Sequence, residues 1–155
     1  MNWESFDAIH LIRLASAIVA LVTFAIGYVV ASNRWRRNNT LKLIGMIFSS
    51  PVLASGHAYI ARMIAEGREL SGDAIPKEVE QKILPVLEFY NFLCISAHQK
   101  GLHRYTLVRH RGISIRDTFY CVKGYIDARR EKLNRPGLYC DIEEFVEKNV
   151  QKRDH

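Results

Sequence analysis

The chain has 155 residues, a net charge of +6 and three cysteines. This length suffices for one membrane anchor and one domain of about 120 residues. The cysteines are odd in number, widely spaced and free of any Cys-x-x-Cys pair, which argues against a disulfide framework and favours a reducing cytoplasm.

An uncharged run over residues 14–32 dominates the N-terminal part, and it contains no proline and no amide side chain. Its length approaches the ~20 residues that a helix needs to cross a bilayer core. Trp3 and Trp35 flank the run, about 48 Å apart in a continuous helix, which suits two membrane interfaces. The run therefore predicts a transmembrane helix over 14–32, preceded by a short extracytoplasmic segment over 1–13.

The charges on the two sides of this run predict its orientation. Glu4 and Asp7 precede it, and the cations that closely follow it are Arg34, Arg36, Arg37 and Lys42. Because Lys and Arg near a span stay on the cytoplasmic side, we expect a single-pass membrane protein with its N-terminus outside and its C-terminal domain in the cytoplasm. Residues 33–39 then form a basic juxtamembrane linker in the cytoplasm, at the membrane surface. A cleaved signal peptide is the alternative, which the acidic leader and the long apolar run disfavour.

Small residues recur along one side of the predicted span. They fall within about 80° of one another on a helix and are Ser16, Ala20, Thr23, Gly27 and Ala31. Small faces let helices approach closely in lipid, so this stripe predicts contact with a copy of the chain or with another subunit. An incidental stripe in an alanine-rich anchor is the alternative.

Residues 40–150 show helical spacing of apolar positions and no sustained alternation. The predicted fold class is therefore all-α, with one N-terminal transmembrane helix followed by a small cytoplasmic helical bundle. Asn38-Asn39-Thr40 is expected to break the first helix, with Thr40 as the N-cap of a second. Pro51 suits the first turn of the next helix, which should run to about Glu66, before a loop over 67–76.

The helix boundaries in the second half of the bundle are predicted from helix-breaking residues. A short helix from Lys77 should stop near Pro85, and a mostly apolar helix should follow, up to His98. Gly112 is expected to separate a short helix from a longer one over 115–133, before the turn at 134–137. Asp141 is expected to cap the last helix, and residues 151–155 to fray.

Three polar residues interrupt the most apolar of these helices. Glu88, Asn91 and His98 are spaced by three and seven, which places them on one helix face. A polar seam of this kind must be hydrogen-bonded when buried, and the expected partners of Glu88 are Arg104, Arg129 or Arg130. The same face is the one place where an enzymatic site is conceivable.

Charge is uneven along the cytoplasmic part. Residues 100–135 hold ten Lys or Arg and three acids. The candidate basic face consists of Arg104, Arg109, Arg111 and Arg116. On a membrane-tethered domain, such a face is expected to meet anionic lipid or a protein, and no nucleic-acid partner is expected. A solvated face with pairing inside the domain is the alternative.

The sequence shows no clear motif for a metal site, a catalytic nucleophile or a nucleotide-binding loop. His98, His103 and His110 are spaced by five and seven, without a Cys or acid that completes a zinc pattern, so no metal is predicted. Cys94 lies four residues before His98, but in apolar surroundings that favour a structural thiol. No Walker-type or Gly-x-Gly-x-x-Gly loop occurs, and no cofactor is predicted.

Short motifs carry a resemblance to a known family. They are Leu87-Glu88-Phe89-Tyr90-Asn91, Gly101, Tyr125-Ile126-Asp-Ala-Arg129-Arg130 and Asp141-Ile-Glu-Glu-Phe145. Over residues 39–148 they resemble the bacterial and phage family known as domain of unknown function 4760, with the Asn and Glu of its Leu-Asn-aromatic-aromatic-Glu pattern exchanged. The resemblance implies one N-terminal span in a bacterial inner membrane, a small helical domain and no known activity.

Together these patterns favour a non-enzymatic, single-pass membrane protein. Its cytoplasmic helical domain is expected to act as an interaction module or an accessory subunit of a membrane-associated complex. The first alternative is a small membrane effector of an anti-phage system. The second is an enzyme that uses the face formed by Glu88, Asn91 and His98.

Overall fold

The computed structural model describes residues 3–72 and 75–150, with side chains from His10 onward. In these residues the helices are α1 (Trp3–Ser49), α2 (Pro51–Ala65), α3 (Lys77–His98), α4 (Arg104–Lys132) and α5 (Cys140–Asn149). The described residues contain no strand, so the predicted all-α class is confirmed. The predicted frayed tail, residues 151–155, lies outside the described residues.

The chain divides into two compact units, and the division falls between Arg36 and Arg37. In the first unit, the large apolar side chains from Leu11 to Val30 are 48–74% exposed. The second unit holds the hydrophobic core. The prediction of one long apolar N-terminal helix followed by a helical bundle is therefore confirmed.

Helix α3 lies at the centre of the second unit, where it packs against α2, α4 and α5. Its buried positions recur every three or four residues, which is the spacing of one helix face. They are Ile83, Val86, Leu87, Tyr90, Leu93, Cys94 and Ala97. The opposing helices supply the other side of the core, with Ile60, Leu107, Ile115, Ile126 and Ile142 among its most buried residues.

The predicted helix break at Asn38-Asn39-Thr40 is wrong, because α1 continues through these residues to Ser49. Thr40 does not cap its own helix. Its side chain is fully buried, and its Oγ1 accepts a hydrogen bond of 2.9 Å from the backbone N–H of His103. Thr40 thus satisfies an amide just before α4, and this long-range contact outweighs the local preference of Asn and Thr for a cap.

Pro85 was expected to interrupt a helix, but α3 runs through it without a stop. A proline in a helix interior costs about 3 kcal/mol, because it lacks an N–H and its ring crowds the preceding turn. Ile83, Val86 and Leu87 around it are 0–3% exposed. Burying one such aliphatic side chain contributes about 1.5–3 kcal/mol, so core packing exceeds the local cost.

Gly112 was expected to separate two helices, and α4 instead passes through it. A Cβ atom at this position would lie 3.3 Å from Cγ2 of Val150, just beyond α5. The glycine therefore serves close helix packing and does not end the helix.

The loop over 67–76 is anchored on α4 by Leu70. The N–H of Leu70 donates to the carbonyl of Cys121 at 2.8 Å, and its carbonyl accepts from the N–H of Tyr125 at 3.1 Å. An undisturbed helix would pair these two α4 groups with each other. A Cβ atom on Gly124 would lie 3.0 Å from the carbonyl oxygen of Leu70, so a glycine there allows the loop to approach.

The N-cap of α5 is Tyr139, and the expectation that Asp141 caps this helix is wrong. Tyr139 has φ 60° and ψ 22°, in the left-handed region that non-glycine residues seldom adopt. Its side chain is 3% exposed. Burial of the ring and its hydrogen bond to Glu88 hold this conformation, and Asp141 lies in the first turn, where its charge favours the helix dipole.

Candidate functional site

The apolar part of α1 is the first candidate site. The segment from His10 to Ser49 is long and apolar enough to cross a membrane, with a hydropathy of 2.3 over its most apolar window. No residue of that window is buried. From His10 to Arg36 the helix covers about 40 Å, against a hydrocarbon core of about 30 Å.

The five small residues predicted to form a contact stripe are all exposed on this helix. Their hydroxyl groups are satisfied within it. The Oγ of Ser16 donates to the carbonyl of Arg13 at 2.9 Å, and Oγ1 of Thr23 donates to the carbonyl of Val19 at 2.8 Å. Gly27 has no heavy atom near the position of a Cβ. The stripe is therefore open to a neighbouring helix, and the predicted contact stays a prediction.

The cations predicted to face the membrane surface lie on the continuous helix α1. Arg34, Arg37 and Lys42 are exposed, and Arg36 is half-buried. Because a helix turns about 100° per residue, these four positions point in different directions around its axis. They form a collar and not a single face.

The residues of the predicted polar seam do not converge on one site. Glu88 is exposed, and its Oε1 accepts a hydrogen bond of 2.6 Å from the hydroxyl of Tyr139. Asn91 is half-buried, and its Oδ1 is buried without a hydrogen-bond partner among the described residues. His98 is exposed, with Nδ1 3.7 Å from Oε1 of Glu144. Glu88 and His98 lie about 15 Å apart along the helix.

The predicted pairing of Glu88 with an arginine is wrong. Arg104 donates to Asn149, Arg129 pairs with Glu80, and Arg130 donates to Glu143 at 2.9 Å. The turn before α5 brings the Tyr139 hydroxyl to Glu88 instead. The positions of polar residues on one face of α3 do not reveal this partner, because it lies 51 residues away in the chain.

A polar network that sequence reasoning missed joins α3 to α4. The Tyr125 hydroxyl donates to Oε1 of Glu80 at 2.8 Å, and Arg129 donates both to this carboxylate and to the Tyr125 oxygen. The hydrogen bonds from Tyr125 and Arg129 lower the pKa of Glu80. Burial, together with the hydrogen bond to Glu80, raises the pKa of Tyr125. The Tyr and Arg four residues apart on one helix face were the available signal.

The four arginines of the candidate basic face lie on two sides of α4, because this helix is continuous. At about 100° per residue, Arg109 and Arg116 point one way, and Arg104 and Arg111 point another. Arg111 is half-buried, with its guanidinium carbon 4.6 Å from the centroid of the Phe48 ring. Arg109 is exposed. A single surface made by all four side chains is therefore not present.

Arg111 also approaches His57, a half-buried side chain of α2. Burial lowers the pKa of His57, and the nearby charge of Arg111 lowers it further. His57 is thus held in its neutral form more strongly than a solvated histidine. It lines a groove of about 200 Å³ between α2 and α4, together with Ser114, Asp117 and Thr118.

The described residues contain no group of three or more His, Cys, Asp or Glu that could hold a metal ion. Burial raises the pKa of the Cys94 thiol far above its usual range. It also raises the pKa of Cys121, whose Sγ lies 3.4 Å from the carbonyl of Arg68. The thiolate is the reactive form of cysteine. Because a raised pKa disfavours the thiolate, both residues are better suited to packing than to reaction.

One comparison with known proteins identifies a family. Residues 10–149 match the model of the family described as a domain of unknown function (DUF4760). The chain belongs to this family. No curated protein and no solved structure matches this chain.

Several residues that carried the resemblance to DUF4760 lie at helix contacts of the second unit. In the central motif, Glu88 bonds to Tyr139 and Tyr90 is fully buried. In the Tyr-Ile motif, Tyr125 holds Glu80 of α3, whereas Arg130 holds Glu143 of α5. These residues therefore join α3, α4 and α5.

Proposed function

We propose that this chain is a single-pass membrane protein whose C-terminal helical unit is a cytoplasmic interaction module, an accessory subunit of a membrane-associated complex. One observation carries the proposal. The large apolar side chains of α1 from Leu11 to Val30 are at least 48% exposed. Keeping apolar area in water costs about 25 cal/mol per Å², and a bilayer removes that cost along a helix of this length.

The collar of cations supports the orientation. Arg34, Arg36, Arg37 and Lys42 follow the apolar segment, and Arg13 is the one Lys or Arg before it. Positive charge near a span is retained on the cytoplasmic side. The second unit then lies in the cytoplasm of a bacterial cell, and the N-terminus lies outside.

Contact through the membrane is part of the proposal. The stripe from Ser16 to Ala31 offers small side chains, and the hydroxyls of Ser16 and Thr23 are bonded to their own helix. A partner helix therefore packs against this stripe without leaving either hydroxyl unsatisfied in lipid.

Two features of the second unit support a role in binding over one in chemistry. Its polar side chains are used to join helices, as Glu80 with Arg129 and Glu88 with Tyr139 illustrate. Its two buried thiols, Cys94 and Cys121, have raised pKa values that disfavour a nucleophile.

Reporter fusions after Asp154 test membrane insertion and orientation together. We expect a green fluorescent protein fusion to fluoresce and an alkaline phosphatase fusion to be inactive, with both chains resistant to alkaline carbonate extraction. Activity of the phosphatase fusion refutes the orientation, and release by carbonate refutes insertion. Purification of the tagged chain in mild detergent then tests for a co-purifying subunit, and its loss on replacement of the α1 stripe assigns the contact.

A further inference from the structure

A groove runs between α2 and α4, and its two parts meet at Ile64 and Asp117. The first part has a volume of about 200 Å³ and is lined by His57, Ile60, Ala61, Ile64, Ser114, Asp117 and Thr118. The second part has a volume of about 230 Å³ and lies beside the turn that follows α2, at Gly67. We name the two parts together the α2–α4 groove. Its wall on α2 extends over about 10 Å, which suits a small organic molecule.

Unsatisfied polar groups lie near the His57 end of the α2–α4 groove. Nε of Arg111 and the hydroxyl of Tyr90 are buried, and neither has a hydrogen-bond partner among the described residues. Burial raises the pKa of Tyr90 to about 12, whereas the nearby charge of Arg111 lowers it. Thr118, on the groove wall, lies near the Tyr90 hydroxyl without an aligned hydrogen bond. Because a buried donor without a partner is destabilising, this end of the groove favours a ligand that accepts hydrogen bonds.

The guanidinium of Arg111 lacks a counter-charge within the part of the chain that the structure describes. Arg111 forms no ion pair with those residues, and α2 contains no Asp or Glu. Asp117 lines the groove, but its Oδ1 lies 3.0 Å from Nε of Arg116. A half-buried cation is stabilised when an anion pairs with it. The groove is therefore suited to a ligand that brings one negative charge to Arg111.

Phe48 leaves the edge of this guanidinium open to such a ligand. The guanidinium carbon of Arg111 lies 4.6 Å from the centroid of the Phe48 ring. An arginine packed on an aromatic ring keeps its in-plane N–H groups for a carboxylate, which it binds through two parallel hydrogen bonds. His57 is held neutral by burial and by the charge of Arg111. A single positive charge thus matches a carboxylate better than a doubly charged phosphate monoester.

We propose that the α2–α4 groove binds a soluble organic carboxylate, whose anionic group pairs with Arg111 and whose body lies along Ile60 and Ile64. Ser114 and Thr118 line the same groove and supply hydroxyl donors. Sites for small molecules commonly combine apolar walls with a few polar groups that fix the orientation of the ligand. This inference goes beyond the proposed role in binding a protein subunit, and it holds whether or not such a subunit is found.

The test uses the full chain in phosphatidylcholine nanodiscs, with empty nanodiscs as the blank. The probe is 4-fluorobenzoate, and its fluorine resonance is followed by nuclear magnetic resonance as the protein is titrated. We expect saturable binding with a dissociation constant of about 1 mM or below. 4-Fluorobenzamide has nearly the same shape without the charge. It should bind about tenfold more weakly, because the hydrogen bonds to Arg111 lose their charge assistance.

Two pairs of variants locate the binding. Arg111→Gln should raise the dissociation constant of the probe about tenfold or more, because it removes the charge and the paired donors. Arg109→Gln is the matched control, since Arg109 is exposed on another side of α4. Ala61→Phe should abolish saturable binding by filling the groove that Ala61 lines. Ala58→Phe, at an exposed position of α2 outside that lining, should leave binding unchanged.

The outcomes separate a site from nonspecific attraction. Equal affinity for the carboxylate and the amide overturns the proposal, and so does equal binding by Arg111→Gln and Arg109→Gln. If Arg111→Gln fails to fold, the alanine variants decide, because both alanines are exposed and the core does not depend on them. Loss of binding in Ala61→Phe alone then supports the proposal, whereas equal binding by Ala61→Phe and Ala58→Phe overturns it.

Discussion

The contact between α2 and α3 depends on Gly56, and Gly56→Ala tests it. A Cβ atom on Gly56 would lie 2.1 Å from the carbonyl oxygen of Lys82 and 2.7 Å from Cγ2 of Val86. A carbon normally stays about 3.3 Å or more from a carbonyl oxygen. The oxygen belongs to the backbone of a helix, so it cannot turn aside. The two helices must separate by about 1 Å to admit the methyl group.

The expected cost follows from that separation. Overpacking a core by a methyl group costs about 1–3 kcal/mol, and a clash with backbone belongs at the upper end. Alanine is better than glycine in a helix interior by about 1 kcal/mol. We therefore expect Gly56→Ala to lower the free energy of unfolding of the second unit by about 2 kcal/mol.

Gly45→Ala is the matched control, because Gly45 also lies in a helix of the second unit and has no heavy atom within 4 Å of a Cβ position. It should raise the free energy of unfolding by about 0.5–1 kcal/mol. Thiol reactivity in detergent at increasing denaturant provides the assay, since Cys94 and Cys121 are buried and Cys140 is exposed. Equal stability of the two variants would refute the close approach of α2 and α3.

Three further predictions test the hydrogen bond between Tyr139 and Glu88, the pH dependence of the polar network around Glu80, and contact through the α1 stripe. Tyr139→Phe removes the hydrogen bond to Glu88 and should lower the free energy of unfolding by about 1 kcal/mol in the same thiol assay; no change would contradict a stabilising bond. The pKa of Glu80 is lowered in the folded state, so its stabilisation is present above its unfolded pKa of about 4.3 and is lost as the pH falls through the folded value. Unfolding followed from neutral to acid pH should therefore show a larger loss for the natural chain than for Glu80→Gln, and parallel curves would refute the linkage. Gly27→Leu with Ala20→Leu should weaken crosslinking through the span while carbonate resistance persists, and unchanged crosslinking makes the α1 stripe incidental.

Helix-breaking residues were an unreliable guide to where the helices of this chain end. Asn38-Asn39-Thr40, Pro85 and Gly112 each predicted an interruption, and the helix continues at all three. Pro51 was placed correctly at the start of α2. The difference is burial. Buried neighbours surround Pro85, and Gly112 faces Val150 at close range, so packing decides those two places. Ser50 and Pro51 are not buried, and local preference decides there.

The candidate sites divide in a similar way. The sequence by itself predicted the segment long and apolar enough to cross a membrane, because the length and hydropathy of a continuous run do not depend on distant contacts. It placed Glu88 on the correct helix but gave it the wrong partner, since Tyr139 and Glu88 are 51 residues apart. The sequence also suggested that Arg104, Arg109 and Arg111 share one face. Because α4 is a continuous helix, Arg104 and Arg111 point to a different side from Arg109.

By itself, the sequence determined the helical class and a segment apolar enough to cross a membrane. Both follow from the periodicity and length of apolar runs, which need no knowledge of distant neighbours. The tertiary structure alone decided which helices continue, which polar groups pair and which residues line the groove between α2 and α4. Those outcomes depend on contacts such as Thr40 with His103 and Glu80 with Arg129. Such contacts join residues far apart in the chain, and their energies exceed the local preferences that a sequence displays.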